Sequence, residues 1–381
     1  MLEEARQRTI EFQRRLTDAG HRLALISDES SIAYLAGFWG YLSLEFGRPT
    51  LLILRSGEAP VVLTPLMESE MVSAMTWVED VRTWEDAGER RWERVLGALL
   101  GDPLERLGVE RDVLPAIVRN WLDERYPGIC LEDVSPLLGA MRMIKSPAEI
   151  GIMRQAGEIA AAMMRAAHES LAEGVPEYES ALAVIAAGTR KAAALLGPGE
   201  RFVSPMIHNL QIMQSGADTS MVHRRASVRR YRRGDPVYFC LCNMAQFRHY
   251  RLGFDRMFFV GEVSAAAARV QQAAIEAQSA ALDAIRPGVL AEEVAAAADE
   301  VYARHGYATC YRTGRSIGLA YLEAPELKRG DRTVLRAGMT FAVDGGVSLG
   351  GELGGRIGDS LVVTESGFEL LTRYPRELLV V

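Results

Sequence analysis

Apolar residues recur every three to four positions over 2–18, 66–76, 91–100 and 114–125, and this spacing predicts amphipathic helices. Short apolar runs lie between them, Leu23 to Ser27, Thr50 to Leu54 and Pro60 to Thr64, and read as strands. Strands alternating with helices predict an α/β domain. The pattern changes after Arg142. Ser146 followed three residues later by Glu149 is a capping box, and Pro147 takes the first helical position of an Ala-rich helix from 147 to about 171. A turn over Glu173 to Glu179 starts a second Ala-rich helix at 177–195. Two apolar runs, Pro236 to Cys242 and Met257 to Val260, flank a polar loop and read as a β-hairpin. A second helix pair follows, 263–285 and 290–305, divided by a turn at Pro287 to Val289, and then a glycine-rich, β-like stretch from Met339 to Val363. Helix, helix, hairpin is thus followed by helix, helix, strands, a repeat in pattern rather than identity. The expected organisation is an N-terminal α/β domain, 1–143, and a C-terminal α+β domain, 144–381.

Composition narrows the class. A chain of 381 residues fits roughly two domains of ~150 residues each. Its apolar runs fall well short of the ~18 residues that span a bilayer. The charged, helix-periodic start MLEEARQRTIEFQRRL lacks the apolar core of a secretory signal. Cys130, Cys240, Cys242 and Cys310 form no CxxC pair and fit a reducing compartment, so the expected location is cytoplasmic, without a membrane partner. A net charge of −7 argues against a nucleic-acid partner. The six arginines between Arg224 and Arg233 form a local basic run, read either as a solvated loop or as a site for the carboxylate of a substrate or partner.

Several ordered motifs in the second half resemble the family of creatinase, methionine aminopeptidase and proline dipeptidase: Ile144-Lys-Ser with Glu149, Gly234-Asp235, Phe254-Asp-Arg256, Gly314-Arg-Ser-Ile-Gly318, Glu323-Ala-Pro325, Leu335-Arg-Ala-Gly-Met339 and Arg356-Ile-Gly-Asp359. The resemblance implies the pita-bread fold, two αα-β halves related by pseudo-two-fold symmetry. Metallopeptidases of this family hold two metal ions through two Asp, one His and two Glu. Carried over position by position, the first Asp falls on Cys240, the second on Gly253, the His on Arg315, and the two Glu on Asp344 and Gly358. Only Asp344 keeps a carboxylate. A dinuclear site needs several hard oxygen donors at fixed positions, and two glycines and an arginine do not supply them. The expectation is therefore no metal and no other cofactor.

One branch of the family, typified by creatinase, works without metal. Gln214 to His223 resembles its Gln-Ser-Gly…His segment without a gap, and the turn from Gly174 to Glu179 is similar too. The resemblance implies that His223 transfers protons, and that Asp255 and Asp344 stand where two glutamates hold a cationic guanidino group. An imidazole serves as base and acid at neutral pH, and two carboxylates hold a planar cation by charge-assisted hydrogen bonds. Each acid is one methylene shorter here, which suits a wider or differently shaped head group. Asp255 also admits a hairpin salt bridge. Arg315 reads either as an ion pair with Asp344 or Glu323 or as a fork for a substrate carboxylate. Glu323 reads as a second acid/base or as a structural partner. Phe46-Gly-Arg48 resembles a creatinase loop that clamps the substrate carboxylate across a subunit interface, which implies a homodimer with Arg48 and Phe46 at the substrate. Cys240 lies in an apolar run with no activating base beside it, so it reads as a buried wall of the substrate pocket rather than a nucleophile.

The resulting expectation is a metal-independent C–N hydrolase for a small zwitterion with a guanidino, amidino or cyclic-amidine head; creatine and an ectoine-like ring are candidates. The alternatives are an Xaa-Pro dipeptidase, and a non-catalytic scaffold similar to pita-bread relatives that bind protein or RNA.

Overall fold

The computed structural model describes residues 2–40, 47–208, 212–308 and 311–381. The chain divides into two units, Met1–Arg142 and Met143–Val381. No described helix is long and apolar enough to cross a membrane.

In the first unit, strands β1 (Leu23–Ile26), β2 (Leu51–Arg55), β3 (Val61–Pro65), β4 (Asp80–Trp84), β5 (Arg106–Val109) and β6 (Cys130–Asp133) form one mixed sheet in the order β4-β3-β2-β1-β5-β6. Leu25, Ile53, Leu63 and Val109 pack with Leu96, Val118 and Leu122 of two covering helices, Trp92–Leu100 and Ala116–Arg125. The apolar-run reading passes over β4, β5 and β6. The outer strands β4 (Asp-Val-Arg-Thr-Trp) and β6 (Cys-Leu-Glu-Asp) are largely solvated and lack a continuous apolar run. The helices Glu29–Ala36 and Ser135–Arg142 are too short for a clear period. The segment read as one helix at 66–76 is a 3-10 turn, Leu66–Glu68, followed by Ser69–Met75.

The second unit is built on a nine-stranded sheet. Its central path comprises β7 (Ile212–Ser215), β8 (Pro236–Cys240), β11 (Asp255–Phe259), β12 (Gly314–Ser316), β13 (Glu323–Leu327), β14 (Thr340–Leu349) and β15 (Leu353–Val363). Between β8 and β11 the chain makes a small ribbon of β9 (Gln246–Phe247) and β10 (Tyr250–Arg251). The sheet order is β13-β12-β14-β15-β11-β8-β7, with β16 (Phe368–Leu370) on β15 and β17 (Leu379–Val380) on β11. Two helix pairs precede its two sets of strands, Pro147–Glu169 with Glu177–Leu195 and Ala265–Ala284 with Ala291–Arg304. The capping box at Ser146 is formed in both directions, at 3.2 and 2.8 Å.

Helix Ala265–Ala284 lies close on β14 and β15 because both surfaces are small. A Cβ at Gly345 would stand 2.2 Å from the Ala274 carbonyl oxygen. Two buried glutamines of this helix satisfy strand backbone: Gln271 exchanges hydrogen bonds with Arg356 (2.9 and 3.1 Å), and Gln278 donates to Val343 O at 3.0 Å. The fully buried pair Arg256–Asp359 (2.9 Å) ties β11 to β15, with Thr372 also donating to Asp359. The sheet behind the cavity described next is therefore pinned by paired polar groups rather than by apolar contact alone.

Candidate active site

Strand register gathers the site. Cys240 stands opposite Ile212 and Asp255, Asp255 opposite Gly358, and Gly358 opposite Asp344. Residues opposite one another in a sheet share a face, so one line across β7, β8, β11, β15 and β14 carries all five. Arg315 of β12 pairs with Ala342, two residues before Asp344, and so joins the same face. Above this face is a cavity of about 400 Å³ whose walls include Cys240, Cys242, Asp255, Arg315, Asp344 and the exposed His223. Five residues expected at the site from the sequence, His223, Cys240, Asp255, Arg315 and Asp344, thus line one cavity.

The charges are tightly arranged. Arg315 is buried, forms an ion pair with Asp344 Oδ2, contacts the Tyr321 hydroxyl and lies 4.2 Å over the Tyr321 ring. Its Nη2 lies 3.5 Å from Cys242 Sγ. Burial alone would lower the Arg315 pKa, but Asp344, Cys242 and Asp255 around it more than reverse that, and the guanidinium stays charged. Asp255 accepts a hydrogen bond from the Cys242 thiol at 3.1 Å. Burial, and next the charge of Asp344, raise its pKa above the ordinary carboxylate value. Burial likewise pushes both thiols up, Cys240 well above its ordinary value, so neither is a ready thiolate nucleophile. Asp344 Oδ1 is buried and has no hydrogen-bond partner among the described residues. A Cβ on Gly358 would stand 2.9 Å from that oxygen and 2.8 Å from Asp255 Oδ2. Two carboxylate oxygens therefore converge on the space that any larger residue at 358 would fill.

The same geometry tests the dinuclear metal centre. Gly253 and Gly358 carry no donor. A Cβ on Gly253 would meet Ala342 Cβ at 2.6 Å and Arg315 Nη2 at 3.0 Å. The room a ligand side chain would take at 253 borders a permanent cation, and at 358 it is taken by two shortened acids. These residues do not fit a pair of hard divalent ions.

The other expected residues lie elsewhere or remain in the roles the sequence left open. Glu323 accepts from Lys145 Nζ at 2.8 Å and from Ala320 N at 3.1 Å, with its side chain buried, and does not line the cavity; of its two readings the structural partner describes these contacts. Asp255 makes no salt bridge to Arg256, which pairs with Asp359 instead. Arg48 pairs with Asp86 at 2.8 Å within the first unit, and Phe46 lies outside the described residues. Three of the six arginines of the basic run are in ion pairs, Arg224 with Glu177 and Asp218, Arg229 with Asp235 and Arg233 with Glu262, while Arg225, Arg230 and Arg232 are exposed. Reading the sequence missed Cys242, Tyr238, Tyr311, Arg312 and Tyr321 in the cavity wall. Cys242 had a signal, since it follows Cys240 by two on a strand-like run; the others had none.

Comparison with known proteins agrees with this architecture. Residues 8–144 match the Creatinase/Prolidase N-terminal domain, and residues 151–365 match Metallopeptidase family M24. The agropine synthesis cyclase of Rhizobium rhizogenes is 31% identical over 378 residues, covering 93% of this chain and 92% of that protein. The creatinase of a Bacillus species is 30% identical over 288 residues, 71% of this chain and 67% of its own. The crystal structure of dipeptidase PepE from Mycobacterium ulcerans superposes with a TM-score of 0.82 at 28% identity, covering 100% of this chain and 98% of that one. The second unit has the pita-bread architecture of these proteins.

Proposed function

Because the chain belongs to metallopeptidase family M24, in its creatinase and prolidase group, a family of hydrolases and cyclases, we propose that it is a metal-independent enzyme. On this reading it cleaves a C–N bond in a small carboxylic acid with a guanidino, amidino or cyclic-amidine head. The observation that carries the reading is the convergence of Asp344 Oδ1, buried and without a partner among the described residues, with Asp255 Oδ2 over Gly358. A buried carboxylate oxygen left unpaired costs about 1–3 kcal/mol. A planar cation seated there donates to both acids and removes that cost.

The chemistry follows from the head group. The carbon of an amidinium is electrophilic because its positive charge is delocalised onto it. His223 takes a proton from water as the oxygen bonds to that carbon, and the π pair moves to nitrogen. The imidazolium then returns the proton to the leaving nitrogen as the C–N bond breaks. Asp255 and Asp344 keep the cation in plane. Arg315 holds Asp344 in place and keeps two neighbouring acids from facing each other unneutralised. Arg312, which lines the cavity, and Arg48, supplied by the partner of a homodimer, are the groups for the substrate carboxylate.

A second reading is favoured by the 31% identity to agropine synthesis cyclase over 93% of the chain. In a cyclase the substrate's own nucleophile replaces water under the same base. The peptidase reading is disfavoured by the missing ligands, and the scaffold reading by the internal pairing of Arg224 and Arg229 in the run and by the cavity that gathers the expected site residues. The test is turnover of a panel of guanidino and amidine acids by protein treated with EDTA, with product masses recorded. Hydrolysis adds the elements of water to the substrate and ring closure does not. Near-stoichiometric metal in the purified protein, with activity lost in EDTA, overturns the proposal.

A further inference from the structure

Cys240 ends strand β8 and Cys242 stands in the turn that follows it, and both side chains come to Asp255. The two sulfurs and an Asp255 oxygen all lie within 4.8 Å of one another, and all three residues are buried. The Cys242–Asp255 hydrogen bond at 3.1 Å already brings two of these donors together. We propose that Cys240, Cys242 and Asp255 form a mononuclear site for a thiophilic divalent cation, Zn²⁺ or its analogue Cd²⁺, and that its occupation blocks the substrate cavity.

This goes beyond the hydrolase reading and concerns a different chemistry from the hard two-metal centre. That centre needs donors at 253, 315 and 358, where none exist. A thiolate-rich tetrahedral site needs only these three ligands and a water from the cavity. Zinc–sulfur bonds of ~2.3 Å and zinc–oxygen bonds of ~2.0–2.2 Å place ligand atoms roughly 3.3–3.8 Å apart. The present spread contracts by about an ångström or less to meet that. The charge balance is even. The cation enters as two thiol protons leave to solvent, so the net charge beside Arg315 and Asp344 is unchanged. Soft donors select Zn²⁺ or Cd²⁺ over Mg²⁺, Ca²⁺ or Mn²⁺. Since Asp255 would be a ligand, the cation and a cationic substrate head compete for the same carboxylate.

The experiment uses the full chain carrying Cys130→Ser and Cys310→Ser, which leaves Cys240 and Cys242 as its only cysteines. The protein is stripped with EDTA, desalted and kept reduced with a phosphine. Titration with Cd²⁺ is followed by the ultraviolet thiolate-to-cadmium charge-transfer band. The expected result is a band saturating at one equivalent per chain, displaced by Zn²⁺ and unaffected by excess Mg²⁺. Cys240→Ser or Cys242→Ser, which remove a ligand outright, weaken binding by more than the ~10–100-fold that loss of a supporting partner costs a metal site. If those variants fold poorly, protection of both thiols from alkylation by one equivalent of Zn²⁺, read by mass spectrometry, replaces them. No band, a band needing millimolar cadmium, or thiols alkylated equally with and without Zn²⁺ overturns the site. Neither readout needs turnover, so this result stands apart from the fate of the amidine-hydrolase proposal.

Discussion

Replacing Arg315 by Met removes the charge from the centre of the site while keeping most of its length. Asp255 Oδ2 and Asp344 Oδ1 lie 2.8 and 2.9 Å from one common point. They are therefore at most roughly 6 Å apart, and at an effective dielectric of about 20 two unit charges at that distance repel by ~3 kcal/mol. Arg315 now offsets this. Without it two acids remain buried with no counter-charge, a change that costs about 3–5 kcal/mol in comparable pairs. For a unit of this size that lowers Tm by roughly 6–20 °C. The pH dependence has a definite sign. Burial and the neighbouring acid raise the folded-state pKa of Asp255, and the variant raises it further. A carboxyl whose folded pKa exceeds its unfolded value adds stability that is complete below the unfolded pKa and is lost as pH rises through the folded one. The deficit of Arg315→Met is thus largest near pH 8 and shrinks toward pH 5. Adding Asp344→Asn removes the second charge and restores most of the loss. Melting curves of the wild type, both single variants and the double variant between pH 5 and 8 measure this. A deficit under about 1 kcal/mol, one that does not change with pH, or one that Asp344→Asn leaves untouched refutes the charge argument.

Three further predictions concern the proposed activity. His223→Asn lowers kcat by roughly 10²–10⁴ with little change in Tm, because the ring is exposed; undiminished turnover moves the base elsewhere. Gly358→Ala crowds both carboxylates, so ligand-induced melting shifts from amidino acids shrink or vanish; a variant stabilised as strongly as the wild type removes the head-group site from 358. Arg48→Ala mainly raises KM, by the equivalent of about 1.5–3 kcal/mol, in a homodimer. Its exposed pair with Asp86 accounts for no more than ~1 kcal/mol of stability, and a monomer with unchanged kinetics rules the clamp out.

What the sequence disclosed was local. The Ser146–Glu149 box, the two Ala-rich helix pairs and the hairpin each announce themselves within a few residues through caps, period and apolar runs. Cys240, Asp255 and Asp344 were legible one by one through motifs resembling the family's, but their common line depends on the register of two hairpins, β8–β11 and β14–β15, joined where Asp255 meets Gly358. The remainder depends on distance. Arg315 meets Cys242 across a separation of 73 residues, and even Tyr321 on Arg315 and Cys242 on Asp255, which are near in sequence, meet only because a turn brings them back. The arginine run was ambiguous for the same reason. Arg224 is neutralised by Glu177, 47 residues earlier at a helix start, and no local rule reveals that.

The exchange of ligands for glycines gains its meaning from the arginine. With Arg315 in place, an acid at 253 would bring its Cβ within 3.0 Å of the guanidinium Nη2 and within 2.6 Å of Ala342 Cβ; with Asp255 and Asp344 leaning together, a glutamate at 358 would collide with both. Neither glycine reverted alone rebuilds a ligand there, because the restored side chain at 253 or 358 meets a neighbour in its space. The alternative centre is complete in its own terms. Asp255, Asp344 and Arg315 leave a single negative charge when all are ionised, Arg312 and Arg356 also line the cavity, and Asp344 Oδ1 has no hydrogen-bond partner among the described residues. A wall with three guanidinium groups and two carboxylates does not suit two divalent ions. The guanidinium-rich wall and the two glycines bear against a metal pair, and Asp344 Oδ1, with no partner among the described residues, bears on a planar cation. On the proposed reading these features favour an organic cation held by Asp255 and Asp344 over a metal pair in this cavity.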